Sequence, residues 1–176
     1  AQSDQVITHT LGLANDVGTY YQMDRLYWNT YYPDAPSMTY DITNTLSTTG
    51  ALFVNYIGHG AIASWTAESI LTRQKIFSLN NGDRLPIFLE MTCLTGYWSH
   101  PLVRTGTDTI SMDAELTRLA GKGAIAVIAS AGRGVGTGHD IYDRAFYEAV
   151  FRNEVATLGL ADLAGKMGVF TNGVSH

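Results

Sequence analysis

The chain has very little cysteine and little charge. Cys93 is the sole thiol among 176 residues, so no internal disulfide can form. That fits the reducing cytosol, and equally a secreted protein that keeps one thiol reactive, so compartment stays open on this ground. Charged residues make up 15% of the chain, with a formal net charge of -5 and no block of Lys or Arg. A surface of that kind argues against nucleic acid or an anionic membrane as a partner. No apolar run approaches the roughly 20 residues that span a bilayer. Residues 1–5 contain neither a basic nor an apolar signal region, so no signal peptide is expected there. Internal repeats and low-complexity stretches are absent as well.

The residues present supply a core. Hydrophobic residues make up 45% of the sequence, which suits one domain, or a large part of one, and not a disordered chain. Three short apolar runs bounded by turn residues read as buried parallel strands, at 51–57, 85–91 and 123–129. A weaker run at 21–28 is a fourth candidate. Helical patterns lie between them, at 3–17, 38–46, 66–79, 111–119, 140–151 and 157–167. This alternation predicts an α/β fold, a three-layer sandwich around a mostly parallel sheet.

Binding sites in such sheets lie beyond the carboxyl ends of the strands. The residues to watch are therefore Gly58-His59-Gly60, Thr92-Cys93-Leu94-Thr95-Gly96 and Ser130-Ala131-Gly132-Arg133-Gly134. A histidine ends one strand and the only cysteine ends the next, with room between them for a single crossover helix. Adjacent strands lie about 4.8 Å apart, so side chains at matching ends come within proton-transfer reach. A thiol nucleophile beside an imidazole is what cysteine peptidase chemistry needs. Gly58 and Gly60 permit close approach of a peptide, and the backbone N–H groups of Gly60 and Cys93 are the expected oxyanion donors. Gly96 is expected to let the chain turn sharply after the nucleophile.

At these residues the sequence resembles the gingipain family of caspase-like peptidases. The segments that carry the resemblance are Phe53-Val-Asn-Tyr-Ile-Gly-His-Gly60, Leu85-Pro-Ile-Phe-Leu-Glu-Met-Thr-Cys-Leu-Thr-Gly96, Ser111-Met-Asp-Ala-Glu-Leu116 and Gly123-Ala-Ile-Ala-Val-Ile-Ala-Ser130. The resemblance extends from about residue 3 to about residue 168. It implies a caspase-like fold and an endopeptidase with His59 as base and acid and Cys93 as nucleophile. It also implies secretion or surface display in a bacterium or archaeon, within a longer precursor. Residues 1–176 then correspond to the C-terminal catalytic portion of the domain. The family's domain is longer: an upstream part of the sheet, which in some members supplies an acid that orients the histidine, has no counterpart here, nor does a closing strand. A sheet edge left open predicts a partner, expected to be another fragment of the same precursor, and self-cleavage just before Ser3-Asp4 is one route to it.

Clues to the substrate side chain conflict. Asp4 falls where arginine-specific members place an acid that pairs with a basic P1 residue, although Ser3-Asp4 also suits a helix cap. Ser130 and Arg133 belong to a loop expected to wall the same pocket. Arg133 favours an acidic P1 if it faces the pocket, and that loop lacks the tryptophan that basic-specific members carry. Tyr97 and Trp98 follow the nucleophile and are candidates to line the cleft. The stretch 132–138 has no Lys-Ser/Thr after its glycines, so it is not a phosphate-binding loop and reads as a mobile substrate loop.

No cofactor is expected. His9, His100 and His139 show no convergent spacing, and a zinc site built on one thiol would need further ligands. Asp108, Asp113, Asp140 and Asp143 could serve a structural calcium ion, but without an EF-hand-like loop they read as solvated or capping residues. Two other functions compete with the peptidase. One is a non-catalytic caspase-like module that binds peptides or scaffolds a secreted assembly, which has no need of both His59 and Cys93. The other is an acyltransferase or amidase, whose elbow would place glycine where Met91 stands.

Overall fold

A computed structural model describes residues 2–18, 21–101 and 110–174, with side chains from residue 5 onward. In chain order its elements are α1 (Gln2–Val17), α2 (Ala35–Thr48), β1 (Phe53–Ile57), β2 (Gly60–Ala61), β3 (Ser64–Trp65) and β4 (Leu71–Thr72). There follow α3 (Arg73–Phe77), β5 (Ile87–Met91), α4 (Met112–Arg118), β6 (Ala126–Ala129), α5 (Gly136–Phe151) and α6 (Leu158–Thr171). The chain divides into two compact units, Trp28–Gly134 and the combination of Ala1–Tyr27 with Val135–His176.

The first unit holds a parallel sheet of order β1-β5-β6. The three strongest apolar runs form these strands. β5 lies in the middle and buries Phe88, Leu89 and Met91, which is why its run is nearly continuous and not alternating. Glu90 interrupts the run and is buried too, at 1% exposure. α2 begins where Asp34 accepts a hydrogen bond from the Ser37 N–H at 2.8 Å, with a proline in its first turn, an N-terminal signature stronger than the pattern at Met38 suggests. Its buried face carries Met38, Thr39, Ile42 and Leu46. Ser111 caps α4, which buries Met112, Asp113, Glu115 and Leu116 and packs against α3 and β6.

Three expectations fail. The crossover from β1 to β5 is not a helix over 66–79. It is a small antiparallel sheet of order β2-β3-β4 followed by the five-residue α3. Thr66 and Ser69 have φ of 56° and 58°, a left-handed backbone that no α-helix can contain, and Thr72 then caps α3 by accepting from the Lys75 N–H. Residues 21–28 form no strand; among them only Trp28 joins a single bridge, to Tyr32. None of 21–28 is buried, so that run offers no face for a sheet to cover. Finally, the glycine-rich stretch is a loop only as far as Val135. The His139 N–H bonds the Val135 carbonyl at 3.0 Å, which closes the first turn of α5 over Gly136 and Gly138.

The second unit consists of α1, α5 and α6, with α5 packed on both of the others. Leu13 and Phe146 are buried in it. So are His9 and Asp143, joined Nε2 to Oδ2 at 2.8 Å, while Asp140 approaches the other ring nitrogen at 3.5 Å. Asp143 is thus neither solvated nor a cap. No described helix is long and apolar enough to cross a membrane.

Candidate active site

The parallel register brings His59 and Cys93 to matching strand ends. Ile57 pairs with Met91, and the Gly58 N–H bonds the Met91 carbonyl at 3.3 Å. His59 and Cys93 each stand two residues beyond that pair, on neighbouring strands. His59 is exposed and Cys93 half-buried with a free thiol. The His59 carbonyl is held by two donors, the Tyr56 hydroxyl at 2.7 Å and the Thr66 N–H at 2.9 Å.

The second of these bonds also orients Gly60. Since 59 and 66 are a hydrogen-bonded pair, the next pair of the antiparallel ladder, Gly60 with Trp65, is non-hydrogen-bonded, and the Gly60 N–H points away from β3. Its Cα lies against the Cys93 turn. A Cβ at Gly60 would sit 2.4 Å from Thr92 Oγ1 and 2.8 Å from the Cys93 carbonyl oxygen.

The Cys93 turn is bonded to the segment after β6. Gly134 donates its N–H to Cys93 Sγ at 3.4 Å, Leu94 donates to the Gly132 carbonyl at 3.0 Å, and Gly96 donates to the Ser130 carbonyl at 3.2 Å. The sharp backbone step falls at Leu94, with φ of 66°, and not at Gly96. Gly96 serves close approach instead, because a Cβ there would meet the Ala129 carbonyl oxygen at 2.9 Å. The expected loop 130–134 is therefore beside Cys93, carrying half-buried Ser130 and exposed Arg133. Trp98 is 71% exposed, and Tyr97 meets His100 edge-on at 4.9 Å.

Other candidates resolve differently. Ser3 and Asp4 lie within α1 and not ahead of it, so the cap reading does not hold; the Asp4 side chain is outside the described residues, as is Asp108. Asp113 is buried at 5% exposure, so it is not a solvated residue. Among the described residues no group of three or more His, Cys, Asp or Glu could hold a metal ion.

A buried cluster beneath the site escaped the sequence reading. Trp65 stacks on Tyr56 with centroids 4.0 Å apart and donates its Nε1–H to Glu90 Oε2 at 2.9 Å. Asp113 and Thr95 adjoin Glu90. Burial, followed by the charge of Asp113, pushes the Glu90 carboxyl well above its ordinary range. Burial likewise pushes Asp113 up to about 7. The one signal available in the sequence is a glutamate inside an apolar strand run.

The profile of Peptidase family C25 matches residues 2–175. No curated protein matches the sequence significantly. Among solved structures, the chain is similar to the Arg-specific cysteine proteinase gingipain R, with TM-score 0.77 and 21% identity over 95% of this chain and 38% of that one. It is also similar to a complex of the pro- and mature domains of RgpB from Porphyromonas gingivalis, with TM-score 0.75 and 20% identity over 94% of this chain and 38% of that one. A third similar structure, described as a protease, has TM-score 0.62 and 21% identity over 78% of this chain and 33% of that one. The chain thus spans well under half the length of the structures it matches, and their likeness establishes a caspase-like α/β fold. With nearly every residue matched by its profile, the chain belongs to Peptidase family C25.

Proposed function

We propose that this chain is the C-terminal catalytic portion of a cysteine endopeptidase, with Cys93 as nucleophile and His59 as general base and acid. The observation that carries the reading is the shared register, which puts both residues two positions past the Ile57–Met91 pair. In the proposed reaction, Sγ bonds to the scissile carbonyl carbon while the thiol proton passes to His59. The backbone N–H groups of Gly60 and Cys93 receive the oxyanion. The C–N bond then breaks as His59 returns the proton to the leaving amine. Water attacks the thioester, His59 takes its proton, and the thiol is regenerated with release of the acid. The partners are a peptide or protein substrate and another fragment of the same precursor, and the family points to secretion or cell-surface display.

Two features bear on P1 with opposite signs. Similarity to a proteinase described as Arg-specific favours a basic P1. Arg133, exposed on the segment bonded to the nucleophile's turn, favours an acidic one. Labelling of the full precursor with two peptidyl acyloxymethyl ketones, bearing Arg or Asp at P1, separates them by mass spectrometry. An adduct on Cys93 with one probe only, lost in Cys93→Ala, is the expected result. Absence of any adduct in folded protein whose thiol still reacts with iodoacetamide would point to a binding module or to another P1 class.

A further inference from the structure

The cluster under the site links both catalytic turns. Glu90 lies three residues before Cys93 and directly opposite Tyr56 in the sheet. Through Trp65 it reaches Tyr56, whose hydroxyl holds the His59 carbonyl. Toward the nucleophile, the Thr95 hydroxyl adjoins both carboxyls, and the Asp113 N–H bonds the Thr95 carbonyl at 3.4 Å. Glu90 is 1% exposed, Thr95 0% and Asp113 5%.

The polar atoms of the two acids are poorly supplied with donors. Among the described residues, neither oxygen of Asp113 and only Oε2 of Glu90 receives a hydrogen bond from a neutral donor in good geometry. No ion pair reaches either acid among the described residues. Two buried carboxylates side by side without a cation would repel strongly. One proton held between them removes a charge and supplies the missing donor.

We propose that Glu90 and Asp113 share a single proton and, as positioning residues, brace the His59 and Cys93 turns in one geometry. Among the described residues, the groups that face the pair are Tyr56 from β1, Trp65 from β3 and Thr95 from the Cys93 turn. Glu68 is the other anion near Tyr56. On α3, Arg73 donates to the Ile110 carbonyl, and Glu115 on α4 is bound to Arg118. Loss of the shared proton leaves two like charges that push α4 and β5 apart at the point where both turns are anchored. The upward displacement of both carboxyls by burial agrees with this. The kinetic consequence rests on the peptidase reading; the shared proton does not.

The test compares full-length wild type with Asp113→Asn and Glu90→Gln, in which an amide supplies the donor permanently. For wild type, kcat for a peptide substrate falls on the alkaline side with KM unchanged. In both variants that fall moves up by at least about one pH unit, since no proton remains to be lost. An alkaline limb identical in all three proteins would overturn the proposal. Infrared spectra give a readout independent of turnover. The carbonyl stretch of a protonated carboxylic acid, present in wild type at about pH 6, disappears in each variant because its partner is then ionised. Wild type without that band also overturns the proposal. A wild type that shows the band but neither turns over nor labels defeats the peptidase and leaves the proton-sharing pair standing.

Discussion

Gly60 sits where a methyl group would collide with Thr92 Oγ1 at 2.4 Å and with the Cys93 carbonyl at 2.8 Å. The Cys93 carbonyl belongs to the turn that carries the sulfur, so the collision moves the proposed nucleophile and not only a surface loop. Gly60→Ala is expected to lower kcat on the order of 10²-fold, the cost of misplacing a catalytic group by about 1 Å. Steady-state kinetics beside a thermal melt check this: activity falls far more than stability, whereas equal losses would make Gly60 a folding residue only. His59 and Cys93 were legible as single letters because each follows an apolar run. The roles of Leu94 and Gly96 were not. A positive φ on leucine and the approach of Gly96 to the Ala129 carbonyl come from how β5 and β6 meet, not from the local sequence.

Elements show the same division. The apolar runs that became β1, β5 and β6 were recognisable because strands of a parallel sheet run in nearly continuous β-branched and aromatic residues, although only the central β5 is mostly buried. The crossover after β1 was not, since Ile70, Leu71, Ile76 and Phe77 fit helical spacing while Trp65 is drawn onto Tyr56 and the hairpin wins. Between α1 and α5, the buried His9–Asp143 contact at 2.8 Å is one polar link, beside the Arg152–Asp16 ion pair. His9→Ala would leave a fully buried Asp143 without that partner. An expected loss of roughly 3–5 kcal/mol follows, as for other broken buried pairs. Urea denaturation measures it, and a loss below about 1 kcal/mol, the range of a surface pair, would show that the contact does not hold α1 to α5.

For the molecule as a whole, the Glu90–Asp113 pair sets a pH dependence. In the unfolded chain both acids titrate near 4, while in the folded chain Asp113 is raised to about 7 and Glu90 lies well above its ordinary range. Between those limits the folded state binds more protons, so stability falls as pH rises, by about 1.4 kcal/mol per pH unit for each extra proton. It is fully present below the unfolded value and lost as pH passes the folded one. Denaturation midpoints between about pH 5 and 8 should decline, and Asp113→Asn should flatten the decline; a wild-type profile that is already flat excludes the raised values. The sequence alone determined the strand runs, the α/β alternation and the two residues at the strand ends, because burial and strand length act on neighbouring residues. Tertiary structure alone decided the hairpin in the crossover and the meeting of Glu90 with Asp113. Those depend on which strands lie side by side, and no local periodicity encodes a contact between residues so far apart in the chain.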